Sequence, residues 1–157
     1  MIIMKSSKEL NELNEAIAQS LLKPDYKPSK QEKFMSEQQL EYFKQKLFLW
    51  KKELILESTG TIEYLRQDSL VSSDLNDRAS LETEQSFELR TRDRYRKLIS
   101  KIDEALQNIE IGEYGYCEIT GNPIPLERLE ARPIANMTVQ AQEEYERSEK
   151  TRKDERE

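Results

Sequence analysis

Apolar residues in this chain recur at alternating intervals of three and four, and they do so in two separate runs. The first is Leu40, Phe43, Leu47, Trp50 and Leu54; the second is Tyr95, Leu98, Ile102, Ala105 and Ile109. A 3,4,3,4 spacing places side chains on one stripe of a helix, which is the seam of a coiled coil. Between the runs lies VSSDLNDRAS, rich in helix-capping residue types. Two helices joined by a short turn run antiparallel. No proline interrupts the chain between Pro28 and Pro123, and Ser36 with Gln39 has the spacing of a capping box. The pattern predicts a first helix over about 36–70, roughly 50 Å long at about 1.5 Å per residue. Its other faces carry Lys44, Lys46, Lys51, Lys52 and Glu53, as on a solvated rod, and Gly60 weakens it by about 1 kcal/mol relative to Ala without ending it.

Shorter patterns flank this hairpin. Leu10, Leu13, Ile17 and Leu21 share one face, and Ser6 with Glu9 forms another capping-box pair, predicting a helix over 6–22. Pro24 and Pro28 in KPDYKPSKQEK then mark a linker. After Ile109, the segment GEYGYCEITGNPIPLERLEARPIANMT clusters Gly and Pro into a small irregular module. From about Thr138 a charged run predicts a terminal helix. The expected organisation is an N-terminal helix and linker over 1–35, a hairpin over 36–110 with its tip near 71–80, and a module with C-terminal helix over 111–157. The fold class is mainly α: a long antiparallel coiled-coil hairpin with a small globular module.

Composition narrows the function. The 157 residues hold 36% charged and 36% apolar residues with a net charge of −6, which suits solvated helices better than a thick core and disfavours a broad duplex-DNA footprint. No apolar run approaches the ~20 residues of a bilayer span, so membrane insertion is not expected and the chain reads as cytosolic. There is no His, which removes imidazole catalysis and imidazole metal ligands, and no catalytic residues are assigned. With one Cys, neither an internal disulfide nor a tetrahedral zinc site is expected.

Three groups carry chemistry. Asp74 and Asp77 sit at the expected tip; they either cap the turn and second helix or present two carboxylates at the end of a rod to a partner's metal ion or basic loop. The second arm holds RTRDRYRKLISK, where Arg94, Lys97 and Lys101 share a face beside Leu98. That strip is either a solvated face or a phosphate-binding one. Cys117 is either a packed small hydrophobe or an oxidation-sensitive thiol.

FxxxLxxW on the first arm, DLNDRAS at the turn, SFELRTRDRYRKLISKI on the second arm, then GYCEITG and RLEARP, together resemble the DksA family of RNA polymerase-binding transcription factors over roughly 36–135. The resemblance implies a non-enzymatic, monomeric partner of RNA polymerase whose hairpin enters the secondary channel and alters open promoter complexes. It implies that Asp74, Asp77 and Ala79 act near the polymerase active site and that Arg94 contacts the rim. Leu98, Lys101 and Arg132 would form, with polymerase, a site for guanosine tetraphosphate (ppGpp), the alarmone of the stringent response. A further position of that site, basic in the family, is occupied by Gln142 here. Where familiar members have four zinc-binding cysteines this chain has Cys117, Thr120, Thr138 and Ala141, so it resembles a single-cysteine, zinc-independent type in which no zinc is expected. Two other functions stay open: a GreA-like transcript-cleavage factor, and a structural coiled-coil adapter.

Overall fold

The computed structural model describes residues 2–20, 22–68 and 75–154, with side chains described over 7–20, 22–60 and 78–153. Five helices follow in order: α1 (Ile2–Ala18), α2 (Glu37–Asp68), α3 (Leu75–Ile111), α4 (Leu126–Ala131) and α5 (Val139–Asp154). The mainly helical fold expected from the two seams is what the chain adopts. α1 begins earlier than predicted, so Ser6 lies inside the helix rather than capping it. α3 begins at Leu75, which puts residues 75–80 of the expected tip into its first turns.

The chain divides into two compact units. The first comprises Met1–Leu21 and Phe48–Asp103. Here Lys51 Nζ lies 2.7 Å from Asp103 Oδ1, and Tyr95 donates a hydrogen bond to Glu57. As the residue number on α2 rises, its partner's on α3 falls, so the arms are antiparallel. Leu13, Leu54, Ile55 and Ile102 are buried in this unit.

The second unit comprises Leu22–Leu47 and Glu104–Glu157. Phe43 and Leu47 are fully buried, and the rings of Phe43 and Tyr114 lie 5.6 Å apart. Ile124, Leu129, Ile134 and Ala141 complete the core. Ser36 caps α2, since its Oγ accepts from Gln39 N at 3.4 Å. The Gln39 side chain reaches back to the linker: Oε1 accepts from Met35 N at 3.0 Å, and Nε2 donates to Ser29 O at 3.0 Å and to Glu32 Oε2 at 3.2 Å. A buried amide satisfied this fully locks the linker onto the start of the helix. Gly115, at φ +89, brings its backbone against the Met35 side chain, where any Cβ would come within 2.8 Å of Met35 Cγ. Only glycine fits both the angle and the approach.

Candidate functional site

The basic stretch of the second arm becomes a surface because it is helical. On α3, residues three and four apart are neighbours, and Arg90, Asp93, Arg94, Lys97, Leu98 and Lys101 line a hollow of about 340 Å³. Arg94, Lys97 and Lys101 are exposed, while Leu98 is half-buried and floors the hollow. Asp93 is the one acid in this lining, and its carboxylate lies 3.8 Å from Arg96 on the helix flank. Four cations around an apolar floor suit an anionic partner, and guanidinium groups in particular suit phosphate or carboxylate oxygens. The structure therefore brings Arg94, Leu98 and Lys101 together as the sequence spacing predicted.

Arg132 belongs to the second unit. It is exposed at the end of α4, where its backbone N–H donates to Arg128 O at 2.8 Å. α4 is short and is held by its side chains: Arg128 donates to Met137 O at 2.8 Å and to Gln142 Oε1 at 2.5 Å, and Glu130 accepts from Tyr42 and from Lys46, both at 2.7 Å. Gln142 also donates to Glu146 at 2.9 Å, so its amide is engaged within the module.

Of the tip residues, Asp74 lies outside the described residues, as does the side chain of Asp77. The backbone of Asp77 is in the first turn of α3, where a carboxylate is favoured by the helix dipole. Ala79 is exposed, and its carbonyl accepts from the Thr83 hydroxyl at 3.0 Å.

Two arrangements were not readable from local sequence. Lys51, expected on the solvated face, is only 8% exposed and lies 2.7 Å from both Glu9 and Asp103. Burial lowers its pKa, but the hydrogen bonds to Asp103 and Glu9 outweigh it and hold the ammonium above its ordinary value. Lys51 thus ties α1, α2 and α3 into one unit. The seam spacing pointed instead to Trp50, one residue away, which is half-buried. The carboxylate partner of Lys51, Glu9, sits on a different helix, which no periodicity within α2 reveals.

The second is around Cys117, which is 3% exposed. Burial pushes the thiol up, but the Thr120 hydroxyl and the backbone of Thr138, Thr120 and Ile119 hydrogen-bond to it and bring it down to about 7. Thr138 Oγ1 in turn accepts from Ala141 N at 3.3 Å. The four positions noted in the sequence, Cys117, Thr120, Thr138 and Ala141, therefore form one cluster. The turn that makes it closes through Cys117 N to Asn122 O and Gly121 N to Cys117 O, both 2.8 Å.

Comparison with known proteins agrees with this geometry. Residues 39–109 match the family described as DnaK suppressor protein DksA, N-terminal domain, and residues 112–147 match the prokaryotic dksA/traR C4-type zinc finger. The chain is 58% identical over 132 residues to the RNA polymerase-binding transcription factor DksA of Caulobacter vibrioides, covering 84% of this chain and 93% of that one. It is 40% identical over 114 residues to the Escherichia coli K12 protein of the same name, covering 73% and 76%. The solved structure of transcription factor DksA2 from Pseudomonas aeruginosa superposes with a TM-score of 0.70 at 35% identity, covering 87% of this chain and 97% of that one.

The zinc-finger match corrects the expectation that no zinc is involved: the module belongs to a C4-type zinc-finger family, which points to zinc binding. The expectation rested on counting thiols, whereas the match extends over residues 112–147 as a whole. The donor set present does not itself complete a tetrahedral site, since it offers one thiol and no three His, Cys, Asp or Glu side chains converge among the described residues.

Proposed function

The chain belongs to the DksA family of RNA polymerase-binding transcription factors, and from that membership we propose that it binds RNA polymerase and regulates transcription initiation. The hairpin of α2 and α3 enters the secondary channel. Arg94 contacts the polymerase rim, and Asp74, Asp77 and Ala79 stand near the active site, where they change the lifetime of open promoter complexes. Leu98, Lys101 and Arg132 bind guanosine tetraphosphate together with polymerase. The protein acts as a monomer in the cytoplasm, performs no catalysis of its own and makes no sequence-specific contact with DNA.

The single observation that carries this reading is the hollow on α3, where Arg94 and Lys101 flank the half-buried Leu98 on a continuous helix of 37 residues. A rigid helix holds those cations at fixed spacing, so less ordering entropy is lost when they meet a docking surface or phosphates. Gln142 is neutral and already hydrogen-bonded to Arg128 and Glu146, so the alarmone's phosphates are left to Lys101 and Arg132.

The test is initiation from a ribosomal RNA promoter with purified polymerase, with and without guanosine tetraphosphate. Inhibition deepened by the alarmone, and lost in the double variant Asp74→Asn, Asp77→Asn while polymerase affinity is kept, is the expected result. No effect from a folded protein would overturn the proposal.

A further inference from the structure

Arg132 is exposed, yet its backbone has little freedom: its N–H donates to Arg128 O at 2.8 Å and its carbonyl accepts from Ala135 N at 3.0 Å. Pro133 follows it and disfavours the helical conformation there, so the chain leaves α4 extended, at φ −141 and ψ 88. α4 cannot hold this geometry by itself. It has six residues, and isolated helices shorter than about 12–15 residues are marginal in water.

Two tyrosine hydroxyls hold it from either side of Arg132. On the near side, Glu130 Oε1 accepts from Tyr42 at 2.7 Å, and Lys46 donates to the same carboxylate and to Glu130 O, both at 2.7 Å. On the far side, Pro133 O accepts from the buried Tyr114, also at 2.7 Å. Both rings rest on one side chain. Phe43 is fully buried, and its ring lies 5.3 Å from that of Tyr42 and 5.6 Å from that of Tyr114. The start of α2 thus reaches the residues flanking Arg132 through three packed aromatic rings.

We infer that Tyr42 and Tyr114 are positioning residues for Arg132: they fix the backbone on both sides of it, and so set the strength with which its guanidinium meets the phosphates of the alarmone. The inference rests on the alarmone reading of Arg132 given above. A guanidinium on a fixed base gives up only the freedom of its own side-chain torsions when it binds an anion, whereas on a loose base the backbone must be ordered as well. The tyrosines act through Arg132, so their effect falls on the alarmone response and not on what the protein does without it.

Promoter inhibition by the full chain, titrated with guanosine tetraphosphate, tests it. Tyr42→Phe and Tyr114→Phe keep the rings and delete only the hydroxyls; each should raise the half-saturating alarmone concentration about fivefold, while inhibition without alarmone and affinity for polymerase stay at wild-type values. Glu130→Gln, which keeps an acceptor oxygen for Tyr42 and Lys46, should shift that concentration less than Glu130→Ala does. Leu13→Ala controls for stability: it opens a cavity in the other unit, lowers the urea midpoint and should leave the half-saturating concentration unchanged. If both tyrosine variants titrate like the wild type while Arg132→Ala loses the alarmone effect, the positioning role is overturned and the alarmone reading stands. A shift in Leu13→Ala as large as in the tyrosine variants also overturns it, since lost stability then accounts for both. A wild type indifferent to the alarmone, or an Arg132→Ala variant that responds as the wild type does, removes the alarmone reading itself and the inference with it.

Discussion

Lys51 shows how one side chain can hold three helices. Its ammonium is buried, while the carboxylates of Glu9 and Asp103 keep side-chain exposures of 43% and 51%. Removing it leaves two acids close together with no cation between them. Lys51→Ala should cost about 1–3 kcal/mol, below the range for a fully buried pair because solvent screens the acids that remain. Lys51→Met, which keeps the packed stem, should recover part of that loss; urea midpoints of the two variants check the order. Cys117 separates reactivity from acidity. At about 7 its pKa leaves much thiolate at neutral pH, yet it is 3% exposed. Alkylation of the native protein should be slow and should become fast in denaturant, as quantified by timed labelling and mass measurement.

The helices were the most readable part of the sequence, because the run Leu40, Phe43, Leu47 and Leu54 on α2 and the run holding Ile102 and Ala105 on α3 each follow one periodicity. α2 is helical through Asp68, and its expected end at 70 lies outside the described residues. What the seam did not reveal lies across elements. Glu9 reaches Lys51 from α1, and Glu130 takes Tyr42 and Lys46 from α4. The basic hollow was readable because it lies within one helix, whereas the cluster around Cys117 needs turns that bring together residues twenty positions apart. The expectation about zinc failed for another reason: it counted thiols, while residues 112–147 match a C4-type zinc-finger family as a whole. Within α2, Gly60 is helical with nothing within 4 Å of where a Cβ would stand. Gly60→Ala should therefore stabilise the protein by about 0.5–1 kcal/mol, raising the urea midpoint without altering its slope.

Across the folded protein, alkali should act on one unit above all. In the unit built from Leu22–Leu47 and Glu104–Glu157, burial raises Tyr26 and Tyr42 to about 12, with the acceptors Glu32 and Glu130 adding to the shift. Burial raises Tyr114 further, beneath its hydrogen bond to Pro133 O at 2.7 Å. All three are raised above an unfolded value of 10.0, so the folded state holds their protons more tightly than the unfolded chain does. Their contribution is complete below pH 10 and is lost as the pH climbs from 10 through about 12. Urea midpoints taken between pH 8 and 12 should be flat at first and then fall, with Tyr114→Phe flattening the fall.

The Gln39 amide has one more implication. Its partners Ser29, Glu32 and Met35 all precede it within ten residues, and each bond has its own acceptor or donor in the backbone or on a fixed side chain. That stretch is a ruler with marked divisions rather than a length of cord. Inserting or deleting even one residue between Ser29 and Gln39 would strand a buried amide, whereas extra residues before Ser29 would leave every mark in place.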